Sequence, residues 1–494
     1  MKRFHQIIIL ASSTLFLSCG DFLDKQPLGE MSVESAFSTA NDANKALVAA
    51  YNPMLNYNGM SGYSIYDIAA DNAEKGGEGP SDGGYFNEIA YSTLTSSNTI
   101  ASQVWKSSFL GIRRANIVIE KVPQIAMDDN AKQRILAEGR FLRAFYYFNL
   151  VTLYGDVPLI DKAEQVEQNF ERSSKELVYD LIIQDLTFAS GILPEKANLA
   201  AGEKARATKG AAEAYLGKVY LYKGDFAQAE IWLKKVIDSK AYSLTPKYYD
   251  IFSTESDFGR ENIFEVNYVY DAQFNNTTNL NQLRQGSTAM YGYGFANPTQ
   301  DLVDAFEPGD PRKGHTVYKQ NDIMPDGVTA DVGISETGYM NKKAYLLESE
   351  FPVTGDARHS GKNELLYRYG MLLLWHAEAA NEVGKTQDAL KSLNEVRVRA
   401  REGNNNILPL VTVTNKEDLK KAIWQEQRVE YAMENIRYFD LIRQKRAGLV
   451  MRAYSLKYNS NKGKNFRDGI NELFPIPQSE IDISQGKLKQ NTGF

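Results

Sequence analysis

Cysteine occurs once in these 494 residues, at Cys19. A lone thiol excludes an internal disulfide, a thiolate zinc site and a CxxC redox pair. Tryptophan is nearly as sparse, and Trp105, Trp232, Trp375 and Trp424 all fall in segments that read as helices, where core packing is their expected role. No basic excess exists. The formal net charge of -6 leaves no phosphate-neutralising face, so nucleic acid is not an expected partner. Nowhere do the roughly 18 uninterrupted apolar residues of a membrane-spanning helix occur. No GxSxG nucleophile elbow is present, and "GDARHSGKN" (355–363) has the wrong glycine spacing and no Ser/Thr after Lys362 for a phosphate loop. After the leader, His315, His359 and His376 form no zinc-helix pair, and His376 reads as a hydrogen-bonded core residue. Asp71, Asn72 and Glu74 offer hard oxygens that would suit calcium, but the residue order of an EF-hand loop is missing. No cofactor and no resident metal are expected. With 62 acidic residues, pairs such as Glu426 and Glu430 arise by chance, so they carry no glycosidase signal.

What the chain does hold in quantity is tyrosine, 29 residues in all. Its amino terminus is also distinctive. Lys2 and Arg3 precede an apolar run from Ile7 to Leu17, which fits the h-region of a secretory signal. The run ends at Phe16-Leu17-Ser18-Cys19, which resembles a bacterial lipobox, with Phe16 where leucine is usual and a small Ser18 before the cysteine. The expectation is a signal peptide over 1–18 and a mature body over 19–494, lipidated on Cys19. Each buried CH₂ of such an anchor contributes about 0.8 kcal/mol, so several chains hold far more firmly than one. The competing reading is an ordinary signal peptide cleaved near Ala11 or Ser13, with Cys19 an unmodified thiol.

Helical periodicity dominates the rest. In "AKQRILAEGRFLRAFYYFNLVTLYGDVPLI", Ala137, Phe141, Ala144, Phe145 and Phe148 share one face, and Gly155 and Pro158 stop the helix. Two helical hairpins are expected, turning at Gly224-Asp225 and near Gly384, followed by a long helix from about Asn415 to Arg446. Leu216, Gly217, Tyr220, Gly224, Ala229 and Leu233 follow tetratricopeptide spacing, and Ala377, Ala380, Gly384, Ala389 and Leu393 take the matching places. The fold class is therefore mostly α: a tetratricopeptide-like helical-repeat scaffold, roughly 33–55, 102–240 and 365–450, with irregular loop and short-strand insertions at roughly 56–101 and 242–362. Long aromatic-rich insertions of this kind suit function better than disorder.

At this point the chain resembles the SusD/RagB family of Bacteroidetes outer-membrane lipoproteins. The resemblance rests on "CGDFLD", "AEGRFLRAFYYFNLVTLYGDVPL", "LLYRYGMLLLWHAEAANE", "LNEVRVRAR", "IWQEQRVEYAMENIRYFDLIRQ" and "LFPIPQSEI…LKQNTGF", in the family's order over nearly the whole chain. It implies a non-catalytic, cell-surface protein that binds glycans beside a SusC-like TonB-dependent transporter and delivers them to it. Some relatives handle peptides. A surface glycoside hydrolase is the third and weakest reading. Asp21 and Asp24, just after the cysteine, resemble the surface-export signal of such lipoproteins. Transporter contact is expected on the helical-repeat face. Glu426, Arg428, Glu430, Arg437 and Asp440 are expected to orient the last helices by pairing, and Arg397, Arg399 and Arg401 likewise.

A sugar presents a C–H face that packs on an aromatic plane and hydroxyls that need polar partners. With the tryptophans in helices, a stacking platform must come from Tyr or Phe in the insertions. The best candidates are Tyr291, Tyr293 and Phe295 in "MYGYGFANP", where Gly292 and Gly294 would leave ring faces open and Asn297 would serve hydroxyls. Opposite them, Asp71 and Asn72 with Tyr85 and Phe86 are placed on the first insertion. The bland alternative is a β-strand with one buried face.

Overall fold

A computed structural model describes residues 37–55, 63–163, 171–270, 278–351 and 360–494. Cys19, the leader and Asp21 and Asp24 lie outside the described residues, as does most of "GDARHSGKN". The helices of eight or more residues are α1 (Ala40–Tyr51), α2 (Thr99–Lys121), α3 (Asp129–Tyr154), α4 (Lys175–Ile192), α5 (Lys209–Lys223), α6 (Phe226–Ser239), α7 (Tyr369–Glu382), α8 (Thr386–Ala400), α9 (Lys416–Glu430) and α10 (Ala447–Lys457). Each of α1 to α7 packs chiefly on its sequence neighbours, and α7 continues onto α8 and α9. That is the serial stacking of a helical-repeat scaffold, in which each unit covers the face its neighbour cannot bury alone.

Local chemistry sets the helix ends. Asp128, Ser174, Thr208 and Asp225 each accept a hydrogen bond from a first-turn backbone N–H of α3, α4, α5 and α6. The hairpins turn at Gly224 and Gly384 as the spacing predicts. Small residues do let the helices close up: a Cβ on Gly217 would lie 2.5 Å from the Leu233 side chain of α6. The expected face of α3 is buried, but so are Leu142, Tyr146, Tyr147 and Leu150 on its other sides, because α3 is packed between α2 and α4. The core is aromatic. Edge-to-face contacts run from Phe141 to Phe264, to Tyr215, to Tyr367 and to Trp375, with centroids 4.9 to 5.9 Å apart.

Among the described residues the insertions contribute strands to three two-stranded antiparallel ladders. They are β1 (Ala73–Gly76) with β3 (Phe295–Pro298), β2 (Asn262–Val266) with β6 (Glu364–Arg368), and β4 (Val317–Lys319) with β5 (Tyr339–Asn341). The β1–β3 ladder matters most here, because it joins the two insertions across more than two hundred residues of chain: Ala73 faces Pro298, Glu74 faces Asn297 and Gly76 faces Phe295.

One expectation fails. The long helix from Asn415 to Arg446 is broken after Glu430 and resumes as a short helix, Arg437–Arg443, before α10. Its carbonyls are captured from outside: Glu430 O accepts from Arg368 Nη2 (2.7 Å) and Tyr248 Oη (2.6 Å), and Ala432 O accepts from Lys343 Nζ (2.7 Å). Cations at a helix carboxyl end also complement its dipole. Met433 and Asn435 then adopt positive φ, which no α-helix continues through.

Candidate functional site

The ladder β1–β3 positions all eight residues that the sequence nominates around it, and divides them sharply. Asp71 and Asn72 lead into β1 and are buried. The Asp71 carboxylate takes a two-pronged bond from Arg437 (Nε 2.7 Å, Nη2 2.8 Å) and a third contact from Arg428 Nη2 at 3.0 Å. Burial alone would raise its pKa, but Arg428 and Arg437 outweigh it and hold the carboxyl well below the usual carboxylate range. Asn72 donates to Asp67 Oδ1 at 3.0 Å. Thr299, just past β3, locks both backbones, donating to Asp71 O at 2.7 Å and Asn72 O at 2.9 Å. Both side chains are engaged by the protein's own groups.

Asn297 is equally committed. Its amide donates to Gly294 O and accepts from the backbone of Glu336, both at 2.9 Å. Phe295 and Phe86 are buried against one another and against Tyr63, with centroids 4.9 to 5.3 Å apart. These five nominated residues are buried and bonded to, or packed on, the protein's own groups, and they form a floor beneath the exposed tyrosines.

The three tyrosines remain outside. Tyr291 is 65% exposed, Tyr293 44% and Tyr85 41%. Tyr85 leans on Phe86 at 4.5 Å, and Tyr291 meets Phe351 edge-on at 6.4 Å. Burial, then the neighbouring Tyr63 and Asp82, raises the Tyr85 phenol above its ordinary value, so it stays a neutral donor. Their support is rigid: Gly292 N donates to Ser287 O at 2.8 Å, Tyr293 N to Leu283 O at 2.6 Å and Gly294 N to Gly286 O at 2.9 Å. The glycines serve this closure and do not merely expose rings. A Cβ at Gly292 would sit 2.0 Å from Gly286 O, and Gly294 has φ +74. Residues 291–294 are therefore a tied turn, not the strand of the bland reading, and β3 begins only at Phe295.

Sequence reasoning missed two members. Tyr63 is half-buried between Phe86 and Phe295, with the Arg284 guanidinium 4.9 Å over its ring. Tyr63 lies in the same Gly/Tyr-rich insertion and shared its compositional signal; Arg284 had none.

Other chemistries fare less well at the nominated positions. The oxygens of Asp71, Asn72 and Glu74 do not converge on a cation. Asp71 is neutralised by arginines, and Glu74 accepts from Tyr454 Oη at 2.5 Å. No group of three or more His, Cys, Asp or Glu among the described residues could hold a metal ion. Glu426 and Glu430 are each gripped by two or three arginines, which leaves neither available as an acid or base. His376 is buried and shares a 2.8 Å hydrogen bond with Ser392, and burial pulls its pKa down to about 4. A separate polar cavity of about 100 Å³ beside Asn262 and Lys362 has room for a few waters only.

A helical-repeat scaffold carrying a tyrosine-edged, insertion-built shelf is the class these features define. Two family models match the chain: one described as "SusD family" over residues 323–494, the other as "Starch-binding associating with outer membrane" over residues 21–221. The chain belongs to the SusD/RagB family. It is 27% identical to the SusD-like protein P2 of Formosa agariphila across the full length of both. Among solved structures it resembles a laminarin binding SusD-like protein at 28% identity and TM-score 0.79, over 93% of this chain and 100% of that one. A SusD-like carbohydrate binding protein from Bacteroides fragilis matches at 25% identity and TM-score 0.78, over 90% and 98% of the two chains. No helix among the described residues is long and apolar enough to cross a membrane.

Proposed function

We propose that this protein is a glycan-binding lipoprotein of the outer-membrane surface, which holds oligo- or polysaccharides and passes them to a SusC-like TonB-dependent transporter. The observation that carries the reading is the exposure of Tyr291, Tyr293 and Tyr85 above a floor of buried aromatic and hydrogen-bonded residues. Large aromatics held in solvent by a tied backbone lose little entropy on binding and offer flat faces to sugar rings. The similarity to a laminarin binding protein supports the same ligand class.

The test is calorimetry of the mature body against a panel of glycans. Tyr291→Ala with Tyr293→Ala is expected to weaken the bound glycan at least tenfold, about 1.4 kcal/mol, as truncated aromatic anchors do. Stability should change by no more than about 0.5 kcal/mol, because both side chains are exposed. Binding of peptides but of no glycan would sink the reading, and an equal fall in melting temperature would make the tyrosines core residues.

Membrane attachment through Cys19 belongs to the same proposal. Labelled fatty acid is expected to enter the wild-type protein and not Cys19→Ala; equal incorporation overturns the anchor.

A further inference from the structure

Behind Asp71, residues of α9 and α10 line a cavity of about 300 Å³, at the lower end of the size range of ligand pockets. Its walls carry five cations against two carboxylates, Asp71 and Asp301. Both carboxylates are already used. Asp71 binds Arg437 and Arg428, and Asp301 binds Arg428 at 2.5 Å. Lys421, Lys457 and Arg446 are the surplus. Among the described residues Lys421 pairs with Asp418 alone, on its own exposed face at 3.4 Å, and Lys457 lies 4.5 Å above the Tyr458 ring.

Arg446 is the telling member. It sits between the short helix Arg437–Arg443 and α10, where its Nε donates to Gln444 Oε1 at 2.7 Å. Its Nη2 is buried with no hydrogen-bond partner, and no carboxylate lies within ion-pair distance among the described residues. A buried donor left unmet is costly, more so when it is charged, so such a group calls for a reason. Burial, with Arg437 and Arg428 nearby, also pulls the guanidinium down to about 10. An oxyanion in the cavity would offset the surplus positive charge around Arg446. The guanidinium lies 4.8 Å from the centroid of the Trp424 ring, and Tyr454 and Tyr458 stack in the same cavity at 5.4 Å. Trp424 is only partly buried, contrary to the core role its helix suggested.

We propose that this cavity binds the carboxylate or sulfate group of an acidic sugar residue, with Arg446 as the anion's partner and the aromatic walls flanking the ring. The inference rests on the glycan-binding reading and specifies a charge class at a place separate from the tyrosine shelf. A guanidinium fork matches either oxyanion in two-pronged fashion.

The experiment is calorimetry of the full mature protein with three oligosaccharides of similar length: an oligogalacturonate, a sulfated galactan fragment and a neutral β-glucan fragment. An acidic oligosaccharide is expected to bind, and Arg446→Gln to weaken it at least tenfold while neutral-glycan affinity and melting temperature hold. A response to the uronate alone assigns a carboxylate, and a response to the sulfated fragment alone assigns a sulfate. Wild-type affinity for the acidic ligand should also fall with added salt. Failure of both acidic ligands to bind overturns the inference, as do undiminished binding to Arg446→Gln and capture of acidic peptides alone. If the neutral glycan still binds in those cases, the shelf reading stands and only this cavity's role is lost.

Discussion

Glu430→Gln is expected to cost the protein about 3–5 kcal/mol of stability, read as a fall in the urea midpoint. Glu430 lies fully buried at the end of α9, where it accepts from Arg312 at 3.0 Å, Arg368 at 2.7 Å and, more closely still, Arg399. Around it, Glu426 joins Arg312 to Arg397, each at 2.6 Å, while Glu434 joins Arg368 at 2.8 Å to Lys343 at 2.7 Å. The network couples the second insertion, which supplies Arg312 and Lys343, to β6, α8 and α9. Removing one negative charge takes a partner from three buried cations at once. Among the described residues it leaves Arg312 with Asp310 and Glu426, Arg368 with Glu261 and Glu434, and Arg399 with Glu261 alone. Such a pair is costly to break even where its net contribution to folding is small. A total stability of about 5–15 kcal/mol makes this a large fraction.

The same residue sets a pH dependence. Burial would raise the Glu430 pKa, but Arg399, Arg368 and Arg312 hold it well below its ordinary 4.5. The unfolded chain therefore binds the proton first as pH falls, and the stability Glu430 contributes is present above about pH 4.5 and lost below it. Acid titration of the melting temperature should fall less steeply in Glu430→Gln than in the wild type. A loss under about 1 kcal/mol in urea would mean that Glu261 and Glu434 take up the load instead.

Asp71→Ala is expected to have an effect of similar size, about 3–5 kcal/mol, because Arg437 loses its carboxylate while Arg428 keeps Asp301. The melt will separate this from a recognition role. If the variant melts with the wild type yet loses glycan affinity, Asp71 contacts the ligand after all. If it melts early, the residue belongs to the floor. Set beside the Tyr291 and Tyr293 double variant, it gives opposite signatures from residues only a strand apart across the β1–β3 ladder.

That contrast also shows what composition and spacing could reveal. The helical hairpins were legible because their causes are local: apolar period, N-caps and a turn glycine. The break after Glu430 was not, because the groups that take its carbonyls, Arg368, Tyr248 and Lys343, come from distant chain. Residue type and helical spacing mark the charges of the last helices as a pairing network, yet most of their partners lie outside that segment, at Arg312, Arg368 and Asp71. Asp71 and Asn72 looked like hydroxyl binders because residue type does not say which way a carboxylate points, and Arg437 is 366 positions away. Within the insertions a finer signal was present. The nominated tyrosines, which carry a hydroxyl, face out, and both nominated phenylalanines face in.

The tied turn from Gly286 to Gly294 has an evolutionary consequence. Its backbone closure is made by main-chain groups and glycines, so the side chain at residue 293 carries none of it, while residue 291, at φ +66, must tolerate a left-handed backbone. Within that limit, the exposed surface of the turn can change its chemistry while the hydrogen bonds beneath it stay in place.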